Sequence, residues 1–247
     1  MRGFKKYLII EFKLFLREPE AFFFTLIFPI LILVVFGSIY GNKPTIFFGG
    51  RGTIDISVPA FMAIIIGMSG LMNIPMAVAT EREKGILKRL RATPIHPATI
   101  LLGWILVYFL VTSIGAILLV VAAKIIYNLH FDGNFFHILF AFSLSTFSFL
   151  SLGFVIASVA PTARTANITG NIIFFPMLFL SGATFPTQIM PETVRRISNL
   201  FPLTYVVKLL QGFWFGTSWG EQLTAIMVLL VLLILGVLIS ALTFQWE

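Results

Sequence analysis

The sequence predicts an all-α polytopic membrane protein with six transmembrane helices, an N-terminal interfacial amphipathic helix and short re-entrant outer helices before the last span. Three observations predict it. Of 247 residues, 58% are hydrophobic and only 11% charged, where a soluble domain carries about 25% charged residues; there are too few charges to clothe a water-facing surface. Six runs, at 22–40, 57–79, 98–121, 135–159, 166–189 and 222–244, contain no Asp, Glu, Lys or Arg. Each is long enough for the roughly 20 helical residues that cross about 30 Å of hydrocarbon. Finally, six crossings divide the remaining segments into two sides with unequal Lys/Arg content. The side with both termini holds 11 in 48 residues and the other holds 6 in 61, which places both termini in the cytoplasm.

Residues 2–17 read as an amphipathic helix on the cytoplasmic interface. At 100° per residue Arg2, Lys5, Lys6, Lys13 and Arg17 fall on one side and Phe4, Tyr7, Leu8, Leu14 and Phe15 on the other, the pattern of a helix lying in the headgroup plane. Glu11 and Glu18 break it by sitting on the apolar side. Either they reach the rim between lipid and water, or they meet a basic partner surface. The first apolar run ends in Gly37-Ser38-Ile39-Tyr40-Gly41 without a small-x-small cleavage site, so it reads as a retained span. Pro29, Pro75 and Pro176 are placed to kink the first, second and fifth runs.

Between the second and third runs, residues 81–97 read EREKGILKRLRATPIHP. Charges flank a narrow apolar strip of Ile86, Leu87 and Leu90 at helical spacing. Glu81 can pair with Lys84 at i,i+3, and Pro94 and Pro97 end the segment. A solvated loop needs neither the strip nor the prolines; a short docking helix for a cytoplasmic protein uses both. Residues 185–216 carry Pro186, Pro191 and Pro202, then an apolar stretch from Leu200 to Phe215 interrupted by Lys208 and Gln211. This suits short helices dipping into the outer leaflet, with Lys208 snorkelling to the surface. Were Leu203–Phe215 a true span, the C-terminus would move outside.

Several chemistries are absent. With no cysteine there is no disulfide, thiolate site or thiol nucleophile. No G-x-x-x-x-G-K-[ST] occurs, and Gly49-Gly50-Arg51-Gly52-Thr53 reads as a glycine-rich turn. His96, His130 and His137 lie at loops or span ends without zinc-ligand spacing. The spans hold no ionisable residue of the kind an ion-coupled carrier uses. The net charge of +7 is accounted for by the cytoplasmic bias and does not suggest nucleic acid. No catalytic, metal or cofactor site is expected in this chain.

Within the membrane what remains is packing and polarity. Gly153/Ala157 and Ala166/Gly170 are small-xxx-small pairs that admit close helix approach. Asn167, Asn171, Phe174 and Leu178 share a face of the fifth run, and Met68, Met72 and Asn73 sit in the second. These are either interhelical glue and packing or the lining of a path for an amphipathic substrate.

Three patches then resemble the ABC-2 family of transporter permeases: Arg17-Glu18-Pro19 leading into FFFTLIFPILILVVFG, the segment EREKGILKRLRATPIHP, and LSGATFPTQIMPETVRRISNLFPLTYVVKLLQG from Leu180 to Gly212. With six spans, the likeness covers nearly the whole chain as a single transmembrane domain. The resemblance implies a prokaryotic inner-membrane permease, dimeric with an identical copy or a paralogue and driven by two copies of a separate ATPase that binds ATP and Mg. It further implies that the second and fifth spans line the path. Residues Glu81, Glu83, Ile86, Leu87, Arg89 and Leu90 become the ATPase-coupling set, with the apolar strip facing outward into a groove of the ATPase. Met68, Met72, Asn73, Asn167, Asn171 and Phe174 become the candidate path for a hydrophobic, drug-like or lipid-like compound. The likeness is nearer the drug- and lipid-exporting branch than the branch that exports lipid-linked polysaccharide. A non-transporting membrane scaffold is the reading from another class, and it would have no use for a docking helix.

The topology is open to direct measurement in this cysteine-free chain. A membrane-impermeant thiol reagent applied to intact cells should label Phe47→Cys and spare Lys88→Cys; the reverse pattern would invert the orientation.

Overall fold

Hydrocarbon offers a spanning backbone no outside donors or acceptors, so each apolar run must satisfy its own peptide groups as a helix. A computed structural model describes residues 2–45, 50–91, 97–185 and 190–243. The helices are α1 (Arg2–Arg17), α2 (Pro19–Tyr40), α3 (Thr53–Glu83), α4 (Ile86–Arg91), α5 (Pro97–Tyr127), α6 (Phe135–Val159), α7 (Ala163–Leu180), α8 (Glu192–Ser198), α9 (Pro202–Trp214) and α10 (Trp219–Thr243). Among the described residues five helices are long and apolar enough to cross a membrane: α2, α3, α5, α6 and α10. The expected fifth run, 166–189, corresponds to α7, which stops at Leu180, and Pro186 and Gln188 lie outside the described residues. With Arg164, Asn167 and Asn171 in its 18 residues, α7 is more polar than the five. It nevertheless runs from Glu83 at one end, where Ala163 N donates to Glu83 Oε1 at 3.0 Å, to the neighbourhood of Tyr40 and Thr53 at the other.

The α3 and α5 helices are longer than the apolar runs within them. The α5 helix continues to Tyr127, six residues past the run, and carries Lys124, whose Nζ donates to Leu129 O at 3.0 Å. Asn128, with φ +51°, turns the chain out of it.

Residues 202–214 form a short helix that packs into the bundle. In α9, Leu203, Val206, Leu209, Leu210 and Phe213 are fully buried, packed with α3, α6 and α10. Only one edge is open, where Lys208 Nζ donates to Asn199 Oδ1 at 2.7 Å. At 13 residues it is too short to cross.

Two networks close the ends of the bundle. At the end of α9, Asn42 Oδ1 accepts from the first backbone N–H groups of α3, Ile54 N and Asp55 N, at 3.1 and 3.2 Å. Its Nδ2 donates to Asp55 Oδ1 at 3.0 Å, and the same oxygen accepts from His130 N at 2.9 Å. Trp214 Nε1 donates to His130 O at 3.1 Å, tying in α9. Pro44–Thr45 pairs antiparallel with Arg51–Gly52 here, and the Arg51 guanidinium lies 3.8 Å from the Phe215 ring centroid. The opposite end holds α1, α4 and the α6–α7 turn, where Arg82 Nη1 donates to Ala160 O at 3.0 Å. Because Ser148 Oγ reaches Leu229 O and Ser158 Oγ reaches Thr243 Oγ1, α10 runs parallel to α6 and finishes at this end too. Both ends of the described chain are therefore on the same side.

The small-residue pairs work as expected. Gly153 of α6 sits directly on the Gly70 carbonyl of α3, Gly170 of α7 on the Leu71 carbonyl, and Ala157 and Ala166 are fully buried. Any Cβ at Gly153 meets backbone, which cannot swing away. Gly153→Ala should therefore lower the melting temperature of the detergent-purified protein, by an overpacking cost of about 1–3 kcal/mol. Gly220→Ala, where a Cβ meets nothing within 4 Å, should not.

Candidate functional site

Two prolines shape the site. Pro29 and Pro75 have no N–H for the carbonyls four residues earlier, those of Thr25 and Leu71. In each case the helix answers by widening to a π turn, Phe23–Ile27 in α2 and Ser69–Asn73 in α3, a distortion common at functional sites. The Thr25 and Leu71 carbonyls lie against Gly115 of α5 and Gly170 of α7, where no side chain intervenes. The π turns meet each other: Asn73 Nδ2 donates to Thr25 Oγ1 at 2.9 Å. Pro176 does not do the same, since α7 passes through it as an α-helix.

Beside this junction α2, α3 and α7 enclose a cavity of about 650 Å³. Its wall includes Met68, Met72, Asn73, Asn167 and Asn171, five of the six path residues expected from the sequence. Asn171 Nδ2 donates to Asn167 Oδ1 at 2.7 Å, and Asn167 Nδ2 to Met76 Sδ at 3.4 Å. The amides therefore act as glue and as lining at once. Phe174 is the exception. Its ring is 0% exposed and lies against Gly67, and the neighbouring Phe175 faces the cavity in its place.

Sequence reasoning missed the mouth. Arg17, Glu18 and Glu20, at the joint of α1 and α2, border the cavity together with Phe24 and Phe28. Glu18 borders the cavity. Burial raises its carboxyl above the ordinary range, with Lys84 opposing and Glu20 adding to the shift. Met76, four residues from Met72 and three from Asn73, and Phe175, four from Asn171, were missed residues whose helical spacing marked them in advance.

The expected coupling set divides in the structure. Gly85, with φ +67°, separates α3 from α4. Beyond it Leu87 is 0% exposed, in a cluster with Phe15 of α1 and Ile100 and Trp104 of α5. It does not face outward: it anchors α4 to its own bundle. Ile86 is half-buried, Arg89 is exposed with Nη2 donating to Lys84 O at 3.1 Å, and the Leu90 side chain, Pro94 and His96 lie outside the described residues. Glu81 is also turned inward. It is 7% exposed and faces Glu11 of α1, itself 8% exposed, instead of pairing with Lys84 on the surface. Glu83 caps the start of α7 through Ala163 N. The segment is thus fastened to α1, α5, the α6–α7 turn and α7, and its exposed remainder is basic.

The family model described as ABC-2 type transporter matches residues 3–215. The chain is 26% identical over 188 residues to the "Probable multidrug ABC transporter permease YbhS" of Escherichia coli (strain K12), covering 76% of this chain and 48% of that protein. It is 28% identical over 174 residues to the "Inner membrane transport permease YhhJ" of the same organism, covering 66% and 46%. With the "Putative transport permease ycf38" of Porphyra purpurea it shares 26% over 235 residues, covering 92% and 79%. The chain spans about half the length of the Escherichia coli relatives it matches. A match over residues 3–215 takes in the cavity wall and the fastened segment alike, and the chain belongs to the ABC-2 type transporter family.

Proposed function

We propose that this chain is the membrane subunit of an ATP-driven exporter that moves a hydrophobic or amphipathic compound outward. It performs no covalent chemistry and relies on a separate ATPase, present in two copies, for ATP and Mg. The observation that carries the reading is the cavity: about 650 Å³, within the range of pockets that hold drug-sized ligands, walled by thioethers, rings and amides. That size suits a drug- or lipid-sized molecule better than a sugar polymer, and a scaffold without transport would leave the cavity without a role.

In this reading α7 is the sixth crossing. It is polar because one face lines the cavity, while Ile168, Ile172 and Phe179 are exposed along it. The end that carries α1, α4 and the α6–α7 turn is cytoplasmic on its Lys/Arg content, so both termini are inside a prokaryotic plasma membrane and the cavity mouth faces the inner leaflet. A second permease, identical or paralogous, completes the path.

Transmission runs through α4. A push on its exposed basic face passes by Leu87 to α1 and α5, by Arg82 to the Ala160 carbonyl and by Glu83 to the first turn of α7. The last of these bears directly on the helix that presents Asn167 and Asn171.

Two experiments test the reading. Reversing the exposed charge with Arg89→Glu should leave membrane insertion intact yet abolish copurification with the ATPase and transport. Leu87→Asp cannot serve, since it would put a carboxylate into the α1–α5 core. Wild-type transport by Arg89→Glu would remove α4 from the coupling role. For the path, Asn171→Leu should change which compounds stimulate ATPase activity in the assembled complex. Phe174→Ala should instead destabilise the subunit, by about 3–5 kcal/mol as for other buried Phe truncations, with an unchanged compound profile in what survives. An unchanged profile for Asn171→Leu would remove α7 from the path.

A further inference from the structure

We infer that the cavity between α2, α3 and α7 selects amphipathic cations: molecules with an apolar body and one permanent positive charge, the charge held at the Glu18/Glu20 mouth and the body among the methionines and rings. The inference deepens the transport reading and rests on it for its purpose, though not for the binding itself.

Asn73, Asn167 and Asn171 each already donate an N–H within the wall, to Thr25 Oγ1, Met76 Sδ and Asn167 Oδ1. Each amide keeps one further N–H, and Asn73 Oδ1 and Asn171 Oδ1 accept no hydrogen bond among the described residues, so the amides offer a ligand both polarities and the charge preference rests on the sulfurs, rings and carboxylates. Met68, Met72 and Met76 add sulfur, which accepts and does not donate. Phe24, Phe28 and Phe175 add ring faces, whose quadrupole is negative and attracts cations. Phe24 and Phe28 stand edge-to-face with centroids 5.4 Å apart.

The formal charges lean the same way. At the mouth two carboxylates, Glu18 and Glu20, stand against one guanidinium, Arg17. Lys84 acts on Glu18 electrostatically but does not border the cavity. An anion entering here would find a single guanidinium and three amide N–H groups, and otherwise sulfur and ring surface. A cation would find carboxylates at the water side and polarisable, electron-rich surface below. The apolar majority of the wall still requires a large hydrophobic body, since a small hydrated cation would lose its water shell and regain too few ligands.

A pair of nearly isosteric ions separates charge from shape. Tetraphenylphosphonium and tetraphenylborate should be titrated, as radiolabelled probes, against the full chain in nanodiscs of zwitterionic lipid, with uptake by empty nanodiscs subtracted. The expected result is saturable binding of the phosphonium and binding of the borate at least about tenfold weaker, a difference of about 1.4 kcal/mol. Glu18→Gln combined with Glu20→Gln should weaken phosphonium binding about tenfold, and Arg17→Gln should not weaken it. Equal or tighter borate binding, phosphonium affinity unchanged in the double variant, or no saturable binding of either ion would overturn the inference; the wild-type comparison decides it even if the double variant does not fold. Failure here is distinct from failure of the transport reading. A chain that binds neither ion but supports ATP-driven export of a neutral compound loses the charge preference only. A chain that binds the phosphonium but recruits no ATPase keeps the site and loses the exporter.

Discussion

Backbone carbonyls deprived of their helical donors are the constraint from which the rest of this structure follows. In hydrocarbon such a group must be covered by protein or re-bonded locally. Pro29 and Pro75 create two, at Thr25 and Leu71, and both are met by π turns that let the carbonyl approach a glycine on a neighbouring helix. Gly115 and Gly170 are therefore positions where the chain needs the absence of a side chain. The widened turns displace side chains from the regular helical stripe, and the cavity opens beside them. The Asn73–Thr25 hydrogen bond between the two turns makes the distortions of α2 and α3 one feature.

The same economy appears at the basic end. The short α4 helix has six residues, too few to be stable alone, and it is held by what surrounds it. Leu87 supplies the apolar anchor, while Glu81 and Glu83 hold the end of α3 to α1 and α7. A helix fastened on several sides moves with its neighbours or not at all. That rigidity is what a transmitting element requires, and a flexible loop over the same residues could absorb a push without passing it on.

Five of the six expected spans, α1 and the separate character of 81–91 were legible because they rest on length, charge exclusion and period, which lipid and water enforce locally. The Met/Asn constellation was legible too, since amides in an apolar helix must find either each other or a ligand, and Asn167 and Asn171 sit four apart. What was not legible was direction. Leu87, Phe174 and the whole of α9 are apolar positions whose partner is protein, and the sequence cannot distinguish protein from lipid or from an ATPase groove because all three are equally apolar. Glu11 and Glu81 failed for the opposite reason. Each was assigned to a surface by its charge, and only the fold reveals that the two face each other.

Directionality also explains why one helix can serve two ends. The α7 helix starts at Ala163, whose N–H is held by Glu83, and carries Asn167 and Asn171 one and two turns further on, with Gly170 between them seated on the Leu71 carbonyl. The glycine contact fixes the helix against α3 sideways but offers no side chain to lock it lengthwise. Displacement of its first turn by the fastened segment would thus be conveyed along a stiff rod to the amides. Among the described residues, the side-chain hydrogen bond that ties the cavity face of α7 to α3 is that from Asn167 to Met76, a thioether contact of 3.4 Å. It is weak beside the packed glycine seams, so in the exporter reading proposed above strain from the basic end would be released first in the cavity wall, where a change of shape would alter what the cavity holds.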